Sequence, residues 1–163
     1  MIPLYGTGQN KIFQIFHYLI LEIEIIFILL PGKNFLKSAN WEDIVSMVEE
    51  KAKSLEPGEW IEGRGWHQEK WDEVPHDHVH GYPTHYILSE ISKDNPVILY
   101  HASGHALFAN QKAMDIAGVS KETTDPIGGA IVKNEKGEPI GVFEERAMNL
   151  IYDSYQEYLE TLP

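Results

Sequence analysis

The sequence contains no cysteine, so it can form neither disulfide bonds nor thiolate metal sites. It is also short of positive charge, since 13 Lys and Arg residues stand against 25 Asp and Glu residues and give a formal net charge of -12. Phosphate backbones and anionic lipid surfaces repel such a chain. These absences disfavour nucleic-acid binding and predict a cytoplasmic protein.

The remaining composition is ordinary, because 163 residues with 43% hydrophobic content are enough for one domain with its own core. The exception is the apolar run at 12–30, "IFQIFHYLILEIEIIFILL", which is long enough to cross a bilayer. Glu22 and Glu24 lie near its middle, and each disfavours insertion by about 3 kcal/mol. A membrane span is therefore disfavoured, while a buried segment and a translated stretch outside the domain both stay open.

Residues 1–35 form an apolar N-terminal segment that differs in character from residues 36–163, and Pro31-Gly32 marks the break near its end. Residues 36–163 contain alternating predicted elements. These are a helix over 40–55 capped by Asn40, a strand over 59–66, a loop over 67–85, a buried strand over 96–103, a helix over 104–120 with Gly118 after it, two strands joined by a turn at 134–137, and a helix over 144–162. The expected fold class is α+β, with a small mixed sheet and flanking helices. The apolar faces of the last helix and of residues 12–30 predict self-association.

The histidine-rich segment at 75–83, "PHDHVHGYP", has the His-x-His spacing of many metallohydrolases. It does not follow a buried strand, however, and two histidines at i and i+2 bind zinc weakly without a third ligand. The segment is therefore not expected to be a catalytic metal site. A solvated loop and adventitious Ni or Zn binding stay open for its histidines and their neighbour, namely His76, His78, His80 and His85.

A resemblance to a known family rests on three phrases: "EWIEGRGW", "PTHYILSEISKDNPVILYHASGHALFANQKAMDIAGV" and "DPIGGAIVKNEKGEPIGVFEERAM". In order and spacing they resemble the metal-dependent amidohydrolases of family 3, which include the N-substituted formamide deformylases. The resemblance covers about residues 36–163. The chain departs from the family at His67 and Ser89, where the family has aspartate, and at Phe143, where it has leucine.

The resemblance implies that residues 36–163 are the insertion segment of a TIM-barrel enzyme without the full barrel. The family's first metal-binding H-x-H pair is expected upstream, where residues 1–35 contain none, and its other ligands are expected beyond Pro163. The chain is thus expected to be an incomplete, inactive member with no catalytic residue, metal ligand or cofactor of its own. The intact parent would use a divalent metal such as zinc to hydrolyse non-peptide C–N bonds in small amide-type substrates. The alternative is a stand-alone small-molecule binding or interaction module.

The resemblance also implies three substrate-binding residues. His105 and Asn110 match the family's G-H-x-x-x-x-N phrase, and Glu145 matches its x-E-x-A phrase. Structural roles stay open for all three. Asn110 could bond to the backbone, His105 could cap a helix, and Glu145 could be an acidic residue in the first turn of the last helix that the helix dipole stabilises. His101 is interpreted as a core or edge histidine of its strand.

Overall fold

The computed structural model describes residues 33–35 and 37–163, and the predictions for the run at 12–30 lie outside these residues. The chain divides into two units, residues 1–31 and 32–163, and the structure described below is that of the second. Within the described ranges, no helix is long and apolar enough to cross a membrane.

The described part folds around a six-stranded mixed sheet and contains a separate two-stranded hairpin. The strands are β1 (Lys33–Asn34), β2 (Ile61–Trp66), β3 (His78–Val79), β4 (Tyr82–Pro83), β5 (Val97–His101), β6 (Ala106–Ala109), β7 (Gly129–Lys133) and β8 (Pro139–Glu145). The α-helices are α1 (Trp41–Ala52), α2 (Tyr86–Ile91), α3 (Gln111–Ile116) and α4 (Asn149–Glu160), and 3₁₀ turns span Gln68–Lys70 and Arg146–Met148. The predicted mixed sheet with flanking helices is confirmed.

The strand order of the large sheet is β1-β2-β5-β6-β8-β7. Strands β1, β2 and β5 are parallel, whereas β6, β8 and β7 each pair antiparallel with the strand before them in that order. Because β8 is antiparallel to β6, which is antiparallel to β5, strand β8 ends at the same edge as β2 and β5. This arrangement brings the ends of three strands to one edge of the sheet.

Both faces of the sheet are covered by helices, so the domain has three layers. Side chains of α1 and α2 pack on one face in a cluster with Val97 and Leu99 of β5. Side chains of α3 and α4 pack on the other face in a cluster with Ile98. The alternation along β5 places successive residues on opposite faces, as a strand requires. The continuous apolar run at 96–103 was therefore correctly predicted as a buried strand.

An irregularity in β2 decides which face receives its last side chain. The register with β5 shifts between Arg64 and Trp66, so Trp66 joins the cluster on the α1 face instead of the opposite one. Its ring is fully buried, and its indole N–H donates to the carbonyl oxygen of Leu99 at 2.9 Å. Trp60, Trp66 and Trp71 are all buried.

Two other local predictions are confirmed. The side chain of Asn40 accepts a hydrogen bond from the backbone N–H of Asp43 at 2.8 Å, and the Asp43 carboxylate accepts from the N–H of Ala39 at 2.8 Å. This reciprocal arrangement satisfies two donors at the start of α1. The predicted pair of strands joined at 134–137 is the β7–β8 hairpin.

The predicted helix over 104–120 is wrong in its first half. Ala106–Ala109 forms β6 in the centre of the sheet, and only Gln111–Ile116 is helical. Phe108 packs on the α1 face while Leu107 and Ala109 pack on the other, so this apolar run has the two-residue period of a strand. Four apolar residues are too few to distinguish a buried strand from a helix by periodicity.

Two further predictions need correction. The last helix begins at Asn149, and the residues predicted as its first turn, Glu144 and Glu145, end strand β8. The predicted loop over 67–85 contains the β3–β4 hairpin, and the helix α2 after it was not predicted. On α4, Ile151 and Tyr155 are buried, whereas Leu159 is exposed. Self-association through the exposed residues stays a prediction.

Candidate functional site

Polar side chains gather at the edge of the sheet where the parallel strands end. His67 follows β2, His101 ends β5 and Glu145 ends β8, while His105 precedes β6 at the same edge. Ligands of α/β sheets bind at the carboxyl ends of parallel strands, because the loops there are free to vary around a rigid scaffold. This carboxyl-end cluster of His67, His101, His105 and Glu145 is therefore the candidate site.

His101 is held by hydrogen bonds at both ring nitrogens. Its Nδ1 accepts from the backbone N–H of Ser103 at 3.1 Å and lies 2.8 Å from the Ser103 hydroxyl. Its Nε2 lies 3.1 Å from Oε1 of Gln68, an oxygen that can only accept. The proton of the neutral ring is therefore on Nε2. These contacts agree with the interpretation of His101 as a strand histidine with satisfied hydrogen bonds.

Burial between neighbouring rings disfavours the charged form of His101. Its ring centroid lies 4.6 Å from that of Trp66 and 4.7 Å from that of His67. Burial, followed by the charge of His67, lowers the pKa of His101 to about 4. Within the described part of the chain, the buried Nδ1 of His67 has no hydrogen-bond partner. Two imidazole rings thus meet at the carboxyl ends of β2 and β5.

The neutral state of His101 predicts a loss of stability in acid. The folded-state pKa of about 4 lies below the ordinary value of 6.5, so the unfolded chain binds the proton first as the pH falls. The contribution of this group to the free energy of unfolding is full above pH 6.5 and is lost progressively between pH 6.5 and about 4.

We expect His101→Gln to flatten part of this pH dependence in urea unfolding. His85, whose pKa is also lowered by burial, contributes in the same direction and stays in the variant. The wild type and the variant should therefore differ most in slope between pH 6.5 and about 4. Equal slopes in this window would contradict the prediction.

His105 and Glu145, two of the predicted substrate-binding residues, form a surface pair. Nδ1 of His105 lies 3.1 Å from Oε1 of Glu145, and the side chains are 71% and 60% exposed. The backbone N–H of Glu145 also donates to the carbonyl oxygen of His105 at 2.9 Å. His105 precedes a strand, so it caps no helix, whereas Glu145 lies directly before the 3₁₀ turn at Arg146–Met148 and its side chain makes no capping hydrogen bond there. Both groups are accessible to a ligand.

The backbone of Glu145 is strained. Its φ of +50° lies in the left-handed region that disfavours side chains other than glycine. Opposite it in the sheet, a Cβ at Gly129 would stand 2.2 Å from the backbone nitrogen of Ala147, so only glycine permits this close approach. Strained residues of this kind occur preferentially at functional sites.

Asn110, the third predicted residue, lies at the opposite end of β6 and is fully buried. Its Oδ1 accepts from the backbone N–H groups of Val97 and Ala113, both at 3.0 Å. Its Nδ2 donates to Ser92 Oγ at 2.8 Å and to the Asn95 carbonyl at 2.9 Å. Both ends of the amide are therefore occupied by protein groups, and no described contact tests a substrate-binding role.

Tyr82 connects the β3–β4 hairpin to the end of β8. Its hydroxyl donates to Oε1 of Glu144 at 2.8 Å. Burial, followed by this hydrogen bond to the carboxylate, raises the pKa of Tyr82 to about 12. Neither Tyr82 nor Glu144 was predicted as a site residue. No sequence signal marks the pair, because Tyr82 lies in the region predicted as a loop and Glu144 in the region predicted as the last helix.

The histidine-rich segment forms the β3–β4 hairpin instead of an irregular loop. His76, His78 and His80 are exposed, and His80 occupies the turn with a φ of +51°. His85 comes two residues after the end of this hairpin in the sequence, and its side chain is buried. Across residues 33–35 and 37–163, no three His, Asp or Glu side chains lie close enough together to hold a metal ion.

Comparison with known proteins extends this description. Residues 33–162 match the Amidohydrolase family known as Amidohydro_3. The N-substituted formamide deformylase of Arthrobacter pascens is 33% identical over 123 residues, which is 75% of this chain and 22% of that protein. The putative amidohydrolase YtcJ of Bacillus subtilis (strain 168) is 34% identical over 110 residues, 68% of this chain and 20% of that protein.

The crystal structure of an uncharacterized metal-dependent hydrolase from Pyrococcus horikoshii OT3 has a similar fold, with a TM-score of 0.53 and 20% identity. It matches 78% of this chain and 21% of its own length. The chain therefore spans about a fifth of the length of the curated relatives that it matches. Since the family match extends over residues 33–162, the resemblance stated from the sequence is confirmed. The chain belongs to the amidohydrolase family.

Proposed function

We propose that the chain is part of a metal-dependent amidohydrolase that acts on non-peptide C–N bonds of small amide or formamide substrates, and that it is inactive alone. The observation that carries the proposal is the family match over residues 33–162, together with 33% identity to an N-substituted formamide deformylase. The parallel arrangement of β1, β2 and β5 is compatible with an origin in a barrel of parallel strands.

The residues present do not fit the metal that the family implies. A catalytic zinc site needs about three protein ligands, and the described residues bring no three metal-binding side chains together. No step of the reaction is therefore assigned to a metal held by this part of the chain. The contribution of this part to catalysis is substrate contact.

The His105–Glu145 pair is the proposed contact. Because a carboxylate only accepts hydrogen bonds, the 3.1 Å contact places the proton of the neutral His105 ring on Nδ1. Nε2 of His105 and the second carboxylate oxygen of Glu145 are then acceptors on an exposed surface. They suit the N–H group of a substituted amide and would orient it without taking part in bond cleavage. Asn110 would support them only indirectly, by fixing the end of β6.

A chimera tests this proposal. We expect the Arthrobacter pascens deformylase to keep measurable activity on N-substituted formamides when residues 33–162 replace its matching segment. In the chimera, Glu145→Gln should lower kcat/KM about tenfold, the loss expected for one hydrogen bond to a charged acceptor. Glu157→Gln, an exposed change on α4, is the matched control and should have no effect.

The isolated chain completes the test. Supplied with zinc and N-substituted formamides, it should show no turnover above that of zinc alone. Metal-dependent turnover at about 1 per second or faster, an ordinary enzymatic rate, would contradict the proposed inactivity. An inactive chimera whose folding is intact would contradict the proposed role of residues 33–162.

A stand-alone binding module is the second candidate, and the two core clusters favour it. Each face of the sheet is covered by its own buried cluster, so the described part has the core of a domain that could fold by itself. Cooperative thermal unfolding of the chain, with a transition raised by a small-molecule ligand, would support this function. A chain without a cooperative transition would exclude it.

A further inference from the structure

A side chain of the β3–β4 hairpin ties the end of β8 to the interior of the domain. Tyr82, the first residue of β4, donates its hydroxyl proton to Oε1 of Glu144 at 2.8 Å. Its ring meets that of Trp66 edge to face, with the two centroids 6.2 Å apart. Since Trp66 is fully buried, Tyr82 connects the end of β8 to a fixed part of the core.

The tied residue lies beside both members of the proposed substrate contact. Glu144 directly precedes Glu145 on β8, and it pairs with Ala106 of β6, which directly follows His105. The backbone N–H of Glu145 donates to the carbonyl oxygen of His105 at 2.9 Å, so the two strands stay paired up to this point. Movement of Glu144 away from β6 would therefore move Glu145 relative to His105.

The His105–Glu145 pair needs such support because it is exposed. Its side chains are 71% and 60% exposed, and water competes readily for a contact of this kind. Strand β8 ends at Glu145, and the ends of strands open locally more easily than their centres. On the other side of β8, the residue opposite Glu145 is Gly129, which has no side chain to hold the carboxylate.

Tyr82 is suited to this task because it stays a hydrogen-bond donor. Burial, followed by the bond to Glu144, raises the pKa of Tyr82 to about 12, so the hydroxyl keeps its proton at neutral pH. A bond from a hydroxyl to a carboxylate is also stronger than one between two neutral groups. The link between the hairpin and β8 is therefore present wherever Glu144 is ionised.

We propose that Tyr82 is a positioning residue, which acts through Glu144 to hold the His105–Glu145 pair in the arrangement that binds the substrate N–H. This inference rests on the proposed function, because the pair is the substrate contact proposed there. Tyr82 itself neither touches the substrate nor takes part in bond cleavage. The histidine-rich hairpin thus serves the site through its tyrosine and not through its histidines.

The tautomer of His105 in the full chain tests the proposal without any catalytic reaction. The contact with Glu145 places the proton of the neutral ring on Nδ1, and the ¹⁵N chemical shifts of the ring distinguish this form from the Nε2–H form. We expect Tyr82→Phe, which keeps the ring on Trp66, to lower the Nδ1–H population at least about twofold. Tyr152→Phe on α4 removes a tyrosine hydroxyl elsewhere and should leave the population unchanged.

Two reference variants complete this measurement. Glu145→Ala marks the Nδ1–H population without the pair, and Glu144→Ala removes the same hydrogen bond as Tyr82→Phe from its other side. Urea unfolding verifies that each variant is folded. If Glu145→Ala lowers the population but Tyr82→Phe and Glu144→Ala do not, the inference is overturned and the proposed contact stands. If the wild type equals Glu145→Ala, the pair does not form, and both the contact and the inference are overturned.

Kinetics of the deformylase chimera provide the second readout. Because the contact orients the substrate without a part in bond cleavage, Tyr82→Phe should raise KM about threefold and leave kcat unchanged. In a Glu145→Ala background, the same change should have no further effect on KM. An equal increase in KM with and without Glu145 would show that Tyr82 acts on the fold alone and would overturn the inference.

Discussion

Gly141→Ala is expected to destabilise the protein by about 4 kcal/mol, since two independent costs act at this position. Gly141 has a φ of +99°, which strains any other residue. An added Cβ would also stand 2.5 Å from the carbonyl oxygen of Ala109 and 2.9 Å from the Cβ of His85. Ala109 belongs to the buried neighbouring strand, so its backbone cannot move aside without loss of the sheet register.

Gly137→Ala separates the two costs. Gly137 has a φ of +79° in the β7–β8 turn, and an added Cβ there would have no atom within 4 Å. We therefore expect the free energy of unfolding to decrease by only about 1 kcal/mol, from backbone strain alone. Urea unfolding of both variants measures the difference. A Gly141→Ala variant no less stable than Gly137→Ala would show that β6 and β8 are not packed as closely as described.

Much of the fold could be predicted because its signals are local. Asn40 and Asp43 lie three residues apart and cap α1, and the turn at 134–137 connects two strands that pair directly with each other. Such features depend on neighbours in sequence. Strand β6 could not be predicted in this way, because Ala106–Ala109 is a strand only through its non-local pairing with β5 and β8.

The candidate site depends on the same long-range pairing. His67 and His101 are 34 residues apart in sequence, and their rings meet because β2 and β5 run in parallel and end together. His105 and Glu145 meet because β8 ends beside the start of β6. Family resemblance could suggest His105 and Glu145 individually, but only the sheet topology shows that they form a pair. The same topology separates Asn110 from them.

Asn110→Ala gives the second large expected effect, a decrease of about 4 kcal/mol in the free energy of unfolding. The change would remove the acceptor of two buried backbone N–H groups, those of Val97 and Ala113. It would also remove the donor to the carbonyl oxygen of Asn95. Each buried polar group left without a partner costs about 1–3 kcal/mol, and water cannot readily reach a residue that is fully buried.

Asn134→Ala is the matched control, because the Asn134 side chain also accepts from two backbone N–H groups, those of Lys136 and Glu138, at 2.9 and 3.0 Å. These bonds are exposed, so water replaces them and the loss should be about 1 kcal/mol. The comparison by urea unfolding thus isolates burial, with the number of accepted bonds held constant. If Asn110→Ala costs no more than Asn134→Ala, the buried network does not stabilise the fold. The substrate-binding interpretation of Asn110 would then be the better explanation of its place in the family phrase.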